Sequence, residues 1–141
     1  MIQNQIQTKY DKVKLGYVAA GLTNLFGILI FSKGFTNLEL NTLYPEVFSN
    51  FGMMVIMIWG LAYLSVSHRW REERSLAAVF ALEKLVYVVS WVYWIYFHHS
   101  EFPQVFEASP LTGFFYIVYG PSDFLFLILF VYSFLNSKPK A

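Results

Sequence analysis

The stretch LAAVFALEKLVYVVSWVYWIYF, residues 76–97, decides the fold of this chain, because it is long and apolar enough to cross a bilayer as a helix. A helix of roughly 20 apolar residues spans the hydrocarbon core of a membrane, which is about 30 Å thick. Stretches of similar length and composition occur at residues 15–31, 48–66 and 111–135. The sequence therefore predicts an all-α integral membrane protein, with a bundle of four transmembrane helices in a single domain over residues 1–141.

The composition agrees with a membrane protein and excludes several other classes. Of all residues, 57% are hydrophobic and only 13% are charged, compared with roughly 25% charged in an average soluble domain. The net charge of +1 and the lack of a basic stripe argue against a nucleic-acid partner. The chain contains no cysteine, which excludes disulfides, thiolate nucleophiles and thiolate metal sites.

Positive charges predict the orientation of the chain, because short cytoplasmic loops collect Lys and Arg. Basic residues lie before the first apolar stretch, between the second and the third, and after the fourth, whereas Lys33 lies alone on the other side. The residues of the larger group are Lys9, Lys12, Lys14, Arg69, Arg71, Arg74, Lys138 and Lys140. We therefore expect a multi-pass protein of the cell membrane, in a bacterium the inner membrane, with both termini in the cytoplasm.

Three ionisable residues fall inside the predicted helices: Glu83, Lys84 and Asp123. A charge at the centre of a membrane helix costs roughly 2.5 to 3.5 kcal/mol even on the lower scales, so each of them needs a partner. At 1.5 Å per residue, Lys84 lies about 12 Å and Asp123 about 18 Å from the same end of the helices, an offset that a lysine side chain covers. The sequence therefore predicts an ion pair between Lys84 and Asp123. The second carboxyl then leaves an unbalanced negative charge, and we expect one carboxyl to hold a proton.

Two interpretations of these charges stay open at the level of sequence. In the first, Glu83 extends toward the cytoplasmic interface while Lys84 and Asp123 form a structural pin. In the second, the three residues form a functional site, and all three are candidate catalytic residues.

The residues that precede Asp123 allow two local structures. Inside a continuous helix, Pro121 cannot donate to the carbonyl of Ile117, and the helix kinks beside a polar pocket. Alternatively, Gly120 and Pro121 begin a shorter helix, with Asp123 in its first turn, where the helix dipole favours an anion. The second structure would move the carboxylate outward, away from its lysine partner.

Three further residues complete the candidate ligand-binding set. Asn24 lies among small residues at helical spacing, which favours a role in helix packing. Alternatively, its amide is the neutral member of a site with Lys84 and Asp123. Trp59 and Trp91 fall at membrane depth, where each indole needs a hydrogen-bond partner. The candidate ligand-binding residues are therefore Asn24, Trp59, Lys84, Trp91 and Asp123.

The segment 98–110 carries two prolines and lacks a helical pattern, so we expect it to form a loop. It contains His98 and His99, which are adjacent and have no third ligand at a suitable spacing. The sequence therefore predicts no metal site and no cofactor.

Short motifs throughout the chain resemble a group of small bacterial four-helix membrane proteins without an assigned activity. The motifs are Gly21-x-x-Asn24, Phe51-Gly52-Met53, Gly60-Leu61-x-Tyr63, Leu82-x-Lys84-Leu85 and Asp123-Phe-Leu-Phe. The resemblance implies the four-helix architecture and a candidate site formed by Asn24, Lys84 and Asp123. Glu83 stands outside the pattern of that group.

Three hypotheses about function follow from these residues. The leading one is a non-enzymatic carrier or accessory subunit that binds a small apolar or amphipathic molecule, because aromatic walls with a few polar groups are typical of ligand pockets. The first alternative is an intramembrane acid–base enzyme acting on a lipid-like substrate, with Glu83 or Asp123 as base and Lys84 as electrostatic stabiliser. The second alternative is a purely structural subunit of a homo-oligomer or a larger membrane complex. In each case the lipid bilayer is the expected partner.

Overall fold

The computed structural model describes residues 2–138, with side chains from Lys12 onward, and this part of the chain contains helices and no strand. The α-helices are α1 Ile2–Leu22, α2 Ile28–Phe31, α3 Leu38–Leu43, α4 Pro45–Phe48, α5 Asn50–Val66, α6 Arg74–His98, α7 Phe102–Ala108 and α8 Pro110–Asn136. A π-helical segment, Thr23–Gly27, joins α1 to α2, and a 3-10 turn, His99–Glu101, joins α6 to α7.

Three helical segments are long and apolar enough to cross a membrane. They are Lys12–Phe31, Arg74–Ala108 and Pro110–Asn136, while α5 is a shorter apolar helix. Over the described residues, the structure confirms the predicted all-α class and shows three helical segments with the length and composition of membrane spans.

The long helices pack in pairs. α6 lies along α8, α1 lies along α5, and α1 also contacts α8. The loop between α5 and α6 is joined to the end of α8, where the backbone N–H of Lys138 donates to the carbonyl of Arg71 over 2.8 Å. This end of the molecule, marked by Arg69, Arg71 and Lys138, is called the basic end below. Of the residues used to predict orientation, Lys140 and the side chain of Lys9 lie outside the described part of the chain.

Two clusters of buried apolar residues form the core. The cluster toward the α3–α4 end comprises Ile28, Leu40, Phe48, Met53, Ile56, Trp94, Phe115, Tyr116 and Tyr119. The cluster toward the basic end comprises Val13, Tyr17, Ala20, Tyr63, Val66, Trp70, Phe80 and Phe130. Along α6 and α8, Lys84 and Asp123 lie between the two clusters, so the core is divided by polar residues.

Two segments differ from the sequence prediction. The segment 98–110 is mostly helical rather than a loop, since it forms the 3-10 turn and α7. Pro103 stands in the first turn of α7, where its missing N–H does no harm. The apolar stretch at residues 48–66 is also divided, because Ser49 ends α4 and caps α5 by accepting from the N–H of Gly52 over 3.2 Å.

Glycines allow α1 and α5 to approach closely. A Cβ atom built on Gly60 would lie 2.8 Å from the carbonyl oxygen of Gly21, and the converse distance is also 2.8 Å. Real Cβ atoms essentially never come so close to another atom. Small residues at such contacts bring membrane helices within van der Waals distance along their backbones.

We expect Gly60→Ala to lower the stability of the protein by about 1 to 3 kcal/mol, because an overpacked contact forces the two helices apart. Gly27→Ala is the matched control, since a Cβ there meets no atom of the described residues within 4 Å. Thermal unfolding in detergent micelles measures both variants. Equal melting temperatures for the two variants would contradict the close contact.

Candidate functional site

Lys84 is the centre of a buried polar cluster, and only 1% of its side chain is exposed. Its Nζ atom lies 2.7 Å from Oδ1 of Asp123 and donates over 3.2 Å to Oδ1 of Asn24. Oε1 of Glu83 lies 3.8 Å from the same nitrogen. The structure thus shows the predicted ion pair of Lys84 with Asp123, and it places Asn24 beside them as in the second of its two predicted roles.

Asn24 owes its position to the π-helical segment Thr23–Gly27. Its side chain bridges two helices, because Nδ2 donates to the carbonyl of Ile56 in α5 over 3.0 Å while Oδ1 accepts from Lys84 in α6. A π-helical turn inside an α-helix is rare and is frequently found at functional sites. No motif in the sequence predicts it, since the residues of this segment are ordinary for a membrane helix.

Asp123 lies in the interior of α8, which runs without interruption from Pro110 to Asn136 with Pro121 inside it. The alternative of a shorter helix beginning at Gly120 is therefore wrong. Continuity of α8 keeps the carboxylate at the depth of Lys84, although the Pro121 ring removes one backbone donor. Beside the carboxylate, Oγ of Ser122 donates to the carbonyl of Tyr119 over 2.9 Å.

Glu83 is buried and lies within the cluster, so the interpretation in which it extends to the cytoplasmic interface is wrong. One carboxylate oxygen, Oε2, accepts a hydrogen bond from the hydroxyl of Tyr63 in α5. The other, Oε1, has no hydrogen-bond partner among the described residues. No pattern in the sequence indicates this role of Tyr63, because its contact with Glu83 depends on how α5 is rotated against α6.

Aromatic rings surround the ammonium group of Lys84. The Nζ atom lies 5.4 Å from the ring centre of Tyr63, 5.9 Å from that of Tyr87 and 6.0 Å from that of Phe126. Cations within about 6 Å of a ring centre are attracted by the ring face, more strongly where water is excluded. These rings therefore stabilise the ammonium group electrostatically, although they carry no net charge.

A cavity of about 70 Å³ adjoins the polar cluster. Its wall includes the polar residues Thr23, Asn24, Glu83, Lys84, Ser122 and Asp123. The rest of the wall is formed by Gly27, Ile28, Phe31, Phe48, Ile56, Tyr87, Phe115, Val118 and Tyr119. A water molecule needs roughly 10 to 15 Å³ measured in this way, so the cavity has room for several waters or for a small polar head group.

Packed rings close the polar cluster on the side that faces the basic end. The ring of Tyr63 lies 4.9 Å from that of Phe80 and 4.8 Å from that of Phe130. Behind them, Tyr17 lies 5.0 Å from Phe130, and its hydroxyl shares a 2.8 Å hydrogen bond with Ser133. The cavity therefore extends from Lys84 toward the α3–α4 end and not toward the basic end.

The two tryptophans of the predicted ligand-binding set lie elsewhere. Nε1 of Trp91 donates to the carbonyl of Tyr116 over 2.7 Å, and a Cβ on Gly120 would collide with its ring. Trp91 therefore packs α6 against α8. Trp59 lies edge-on to Phe80 at 6.2 Å and lines a second groove, between α5 and α6, which shares Glu83 and Tyr87 with the cavity wall. The structure thus brings Asn24, Lys84 and Asp123 together in the cavity wall but not the two indoles.

His98 and His99 lie at the surface of the α6–α7 turn. Nδ1 of His98 is 3.0 Å from a carboxylate oxygen of Glu101. Within the described part of the chain, no group of three or more His, Cys, Asp or Glu side chains is arranged to hold a metal ion.

Comparison with protein-family models, with curated proteins and with solved structures gives no match for this chain. The likeness of its short motifs to small bacterial membrane proteins stays an interpretation of the sequence. The chemistry of the site rests on the geometry of its own residues.

We expect the mutations Lys84→Met and Asp123→Leu to be strongly non-additive. Lys84→Met leaves the carboxylate of Asp123 without its ammonium, and Asp123→Leu leaves Lys84 with Asn24 and the longer 3.8 Å contact to Glu83. Each single variant should cost up to about 3 to 5 kcal/mol, whereas the double variant removes both members of the pair and should cost less than the sum. Denaturant unfolding in mixed micelles measures the free energies of unfolding.

The control for this cycle combines Asp123→Leu with Ser133→Ala, which removes the separate hydrogen bond to Tyr17. Sites without shared partners are additive to within roughly 0.5 kcal/mol. Additive costs for Lys84→Met and Asp123→Leu themselves would contradict a stabilising ion pair.

Proposed function

We propose that this protein crosses the bacterial inner membrane four times, with both termini in the cytoplasm. Besides the three longer segments, this requires α5 to cross the membrane as the second span in chain order. Its 17 residues correspond to a length of about 25 Å, which is at the lower limit for a transmembrane helix. Its packing along α1 supports this proposal. The basic end faces the cytoplasm, as expected from the preference of Lys and Arg for cytoplasmic loops.

Single cysteines test this topology, because the chain has none of its own. We expect Glu39→Cys and Ser100→Cys to react with a membrane-impermeant maleimide applied outside intact spheroplasts. His68→Cys and Lys138→Cys should react only after the membrane is permeabilised. All four residues are exposed, so burial does not limit their reaction. Labelling of Glu39→Cys and His68→Cys from the same side would contradict a spanning α5.

We propose further that the protein binds a small amphipathic molecule, as a carrier or accessory subunit, with its head group beside Lys84. The observation that carries this proposal is the cavity itself, whose wall combines the charged groups of Glu83, Lys84 and Asp123 with five aromatic rings and several aliphatic side chains. This combination of apolar walls and few convergent polar groups is typical of ligand sites. A bundle that served only as structure would gain stability by filling this space.

The polar end of the cavity favours a head group that donates hydrogen bonds. Lys84 already donates to Asp123 and Asn24, whereas Oε1 of Glu83 accepts from no described residue. With all three groups ionised, two carboxylates and one ammonium give the cluster a net charge of −1. A hydroxyl or an amine suits this environment, whereas a carboxylate on the ligand would be the third carboxyl group beside a single ammonium.

An intramembrane acid–base enzyme is the second candidate. It is favoured by the same oxygen of Glu83, Oε1, which accepts no hydrogen bond from the described residues. A carboxylate that takes a proton and an ammonium that stabilises developing negative charge are the groups that such a reaction requires. Lys84 uses two of its three N–H donors on Asp123 and Asn24, which leaves one for a substrate. Binding requires only the cavity and its polar end, whereas turnover also requires a substrate bond that reacts beside Glu83, so binding is the first candidate.

Photolabelling of the purified protein tests the head-group preference. We expect a long-chain alcohol that carries a diazirine to label α6 and α8, and the carboxylic acid of the same chain length to label them much less. Glu83→Leu should weaken labelling by the alcohol about tenfold or more, because a hydrogen bond to a charged group contributes roughly 1.5 to 3 kcal/mol.

Glu107→Leu, which removes an exposed carboxylate from α7, is the matched control and should label like the unaltered protein. Equal labelling by alcohol and acid, or labelling that is unchanged in Glu83→Leu, would contradict the proposed site.

A further inference from the structure

The segment Lys12–Phe31, which comprises part of α1, the π-helical turn and α2, contacts α8 at two depths along its length. A gap separates the two contacts. Near the basic end, a Cβ on Gly16 would lie 2.8 Å from the side chain of Leu129. Near the opposite end, the ring of Phe31 lies 6.1 Å from that of Phe114 and 5.2 Å from that of Phe115. These two contacts bound the depth at which the cavity lies.

Gly27 lies at the gap between the two contacts. A Cβ built on this residue meets nothing within 4 Å among the described residues, although Gly27 belongs to the wall of the cavity. Thr23 lies one helical turn before it and is exposed, and both line the cavity together with Val118 and Ser122 of α8. The backbone around Gly27 therefore leaves an opening that connects the cavity with the outer surface of the helices.

The surface outside this opening is apolar. Phe26 and Ile30 flank Gly27 with exposed side chains, and Ile117 of α8 is exposed at the same level. Helices with exposed apolar side chains at this depth face the hydrocarbon of the bilayer. Toward the basic end, the rings of Phe80 and Phe130 pack against each other. A second groove, between α5 and α6, reaches Glu83 from a different side and is lined otherwise by Trp59, Val79, Leu82, Val86 and Tyr87.

We propose that the cavity opens sideways into the bilayer between the π-helical segment and α8, and that its ligand is a single-chain amphiphile whose hydrocarbon tail lies in this opening. This inference rests on the proposed function, because it takes the head group to lie beside Lys84 and Glu83. Continuity between the polar cavity and an apolar outer surface supports an amphiphile. A water-soluble ligand would find no polar path through this side of the protein.

Cysteine protection in lipid vesicles tests the opening, with Gly27→Cys as the reporter. The open space at this position accommodates the thiol. We expect a maleimide that partitions into the bilayer to modify Gly27→Cys, and a charged, water-soluble maleimide to leave it unmodified. Dodecanol should slow the modification about tenfold at about ten times its dissociation constant, in proportion to occupancy of the site.

Two control variants lie on the same helical segment. Ile30→Cys, on the lipid-facing surface, should react with the membrane-dissolved reagent and should not be protected by dodecanol. Ala20→Cys, which is fully buried, should not react. Val118→Cys on the opposite side of the opening should behave like Gly27→Cys, and it replaces that variant if the latter does not fold.

Two results would overturn the lateral opening. One is modification by the water-soluble reagent alone, and the other is a lack of reaction at both positions while Ile30→Cys reacts. If either occurs while alcohol labelling still depends on Glu83, the proposed ligand site stands and only the path through the bilayer is wrong. If the thiols react but dodecanol gives no protection, the opening exists and the single-chain amphiphile is wrong.

Discussion

The structure depends on the need to neutralise a lysine ammonium group at the centre of a membrane protein. Lys84 has almost no exposed surface, and an unpaired charge at this depth would cost several kcal/mol. Asp123 of α8, Asn24 of the π-helical segment and Glu83 of α6 all lie within 4 Å of its nitrogen. Because Glu83 and Lys84 share α6, the ammonium joins α6 to α8 and to the π-helical segment, and a shift of α6 against α8 would leave a charge without its partner. The ion pair therefore sets the depth at which these segments meet.

Packing around this centre is asymmetric, and the asymmetry creates the candidate site. Toward the basic end, the rings of Phe80 and Phe130 pack against Tyr63 and fill the space between the helices. Toward the other end the rings leave a cavity, beside a carboxylate oxygen of Glu83 that accepts no hydrogen bond from the described residues. An unsatisfied buried group of this kind costs roughly 1 to 3 kcal/mol or more. A ligand with a hydrogen-bond-donating head group would remove that cost, and this is the basis of the proposal that the protein binds one.

Sequence reasoning is sufficient for the properties that depend on local composition. The length of an apolar stretch determines whether a helix can cross a membrane, so the all-α class and the ends of α6 and α8 were predictable to within a few residues. The pairing of Lys84 with Asp123 was also predictable, because the rise of a helix gives the depth of each charge and burial requires a partner. The same reasoning left open whether Pro121 interrupts the last helix, since proline is compatible with both a kink and a start.

The rotation of each helix was decided only by the tertiary structure. Membrane helices that are apolar on every side carry no stripe of hydrophobic residues to mark the inward face. The sequence therefore predicts how deep a residue lies in the membrane but not which way its side chain points. Contacts such as that of Gly21 with Gly60 set the rotation through close backbone packing. This is why Trp59 and Trp91, although deep in their helices, lie outside the cavity wall, whereas Glu83 faces inward. The π-helical turn that positions Asn24 arises in the same way, from contacts with neighbouring helices that are distant along the chain.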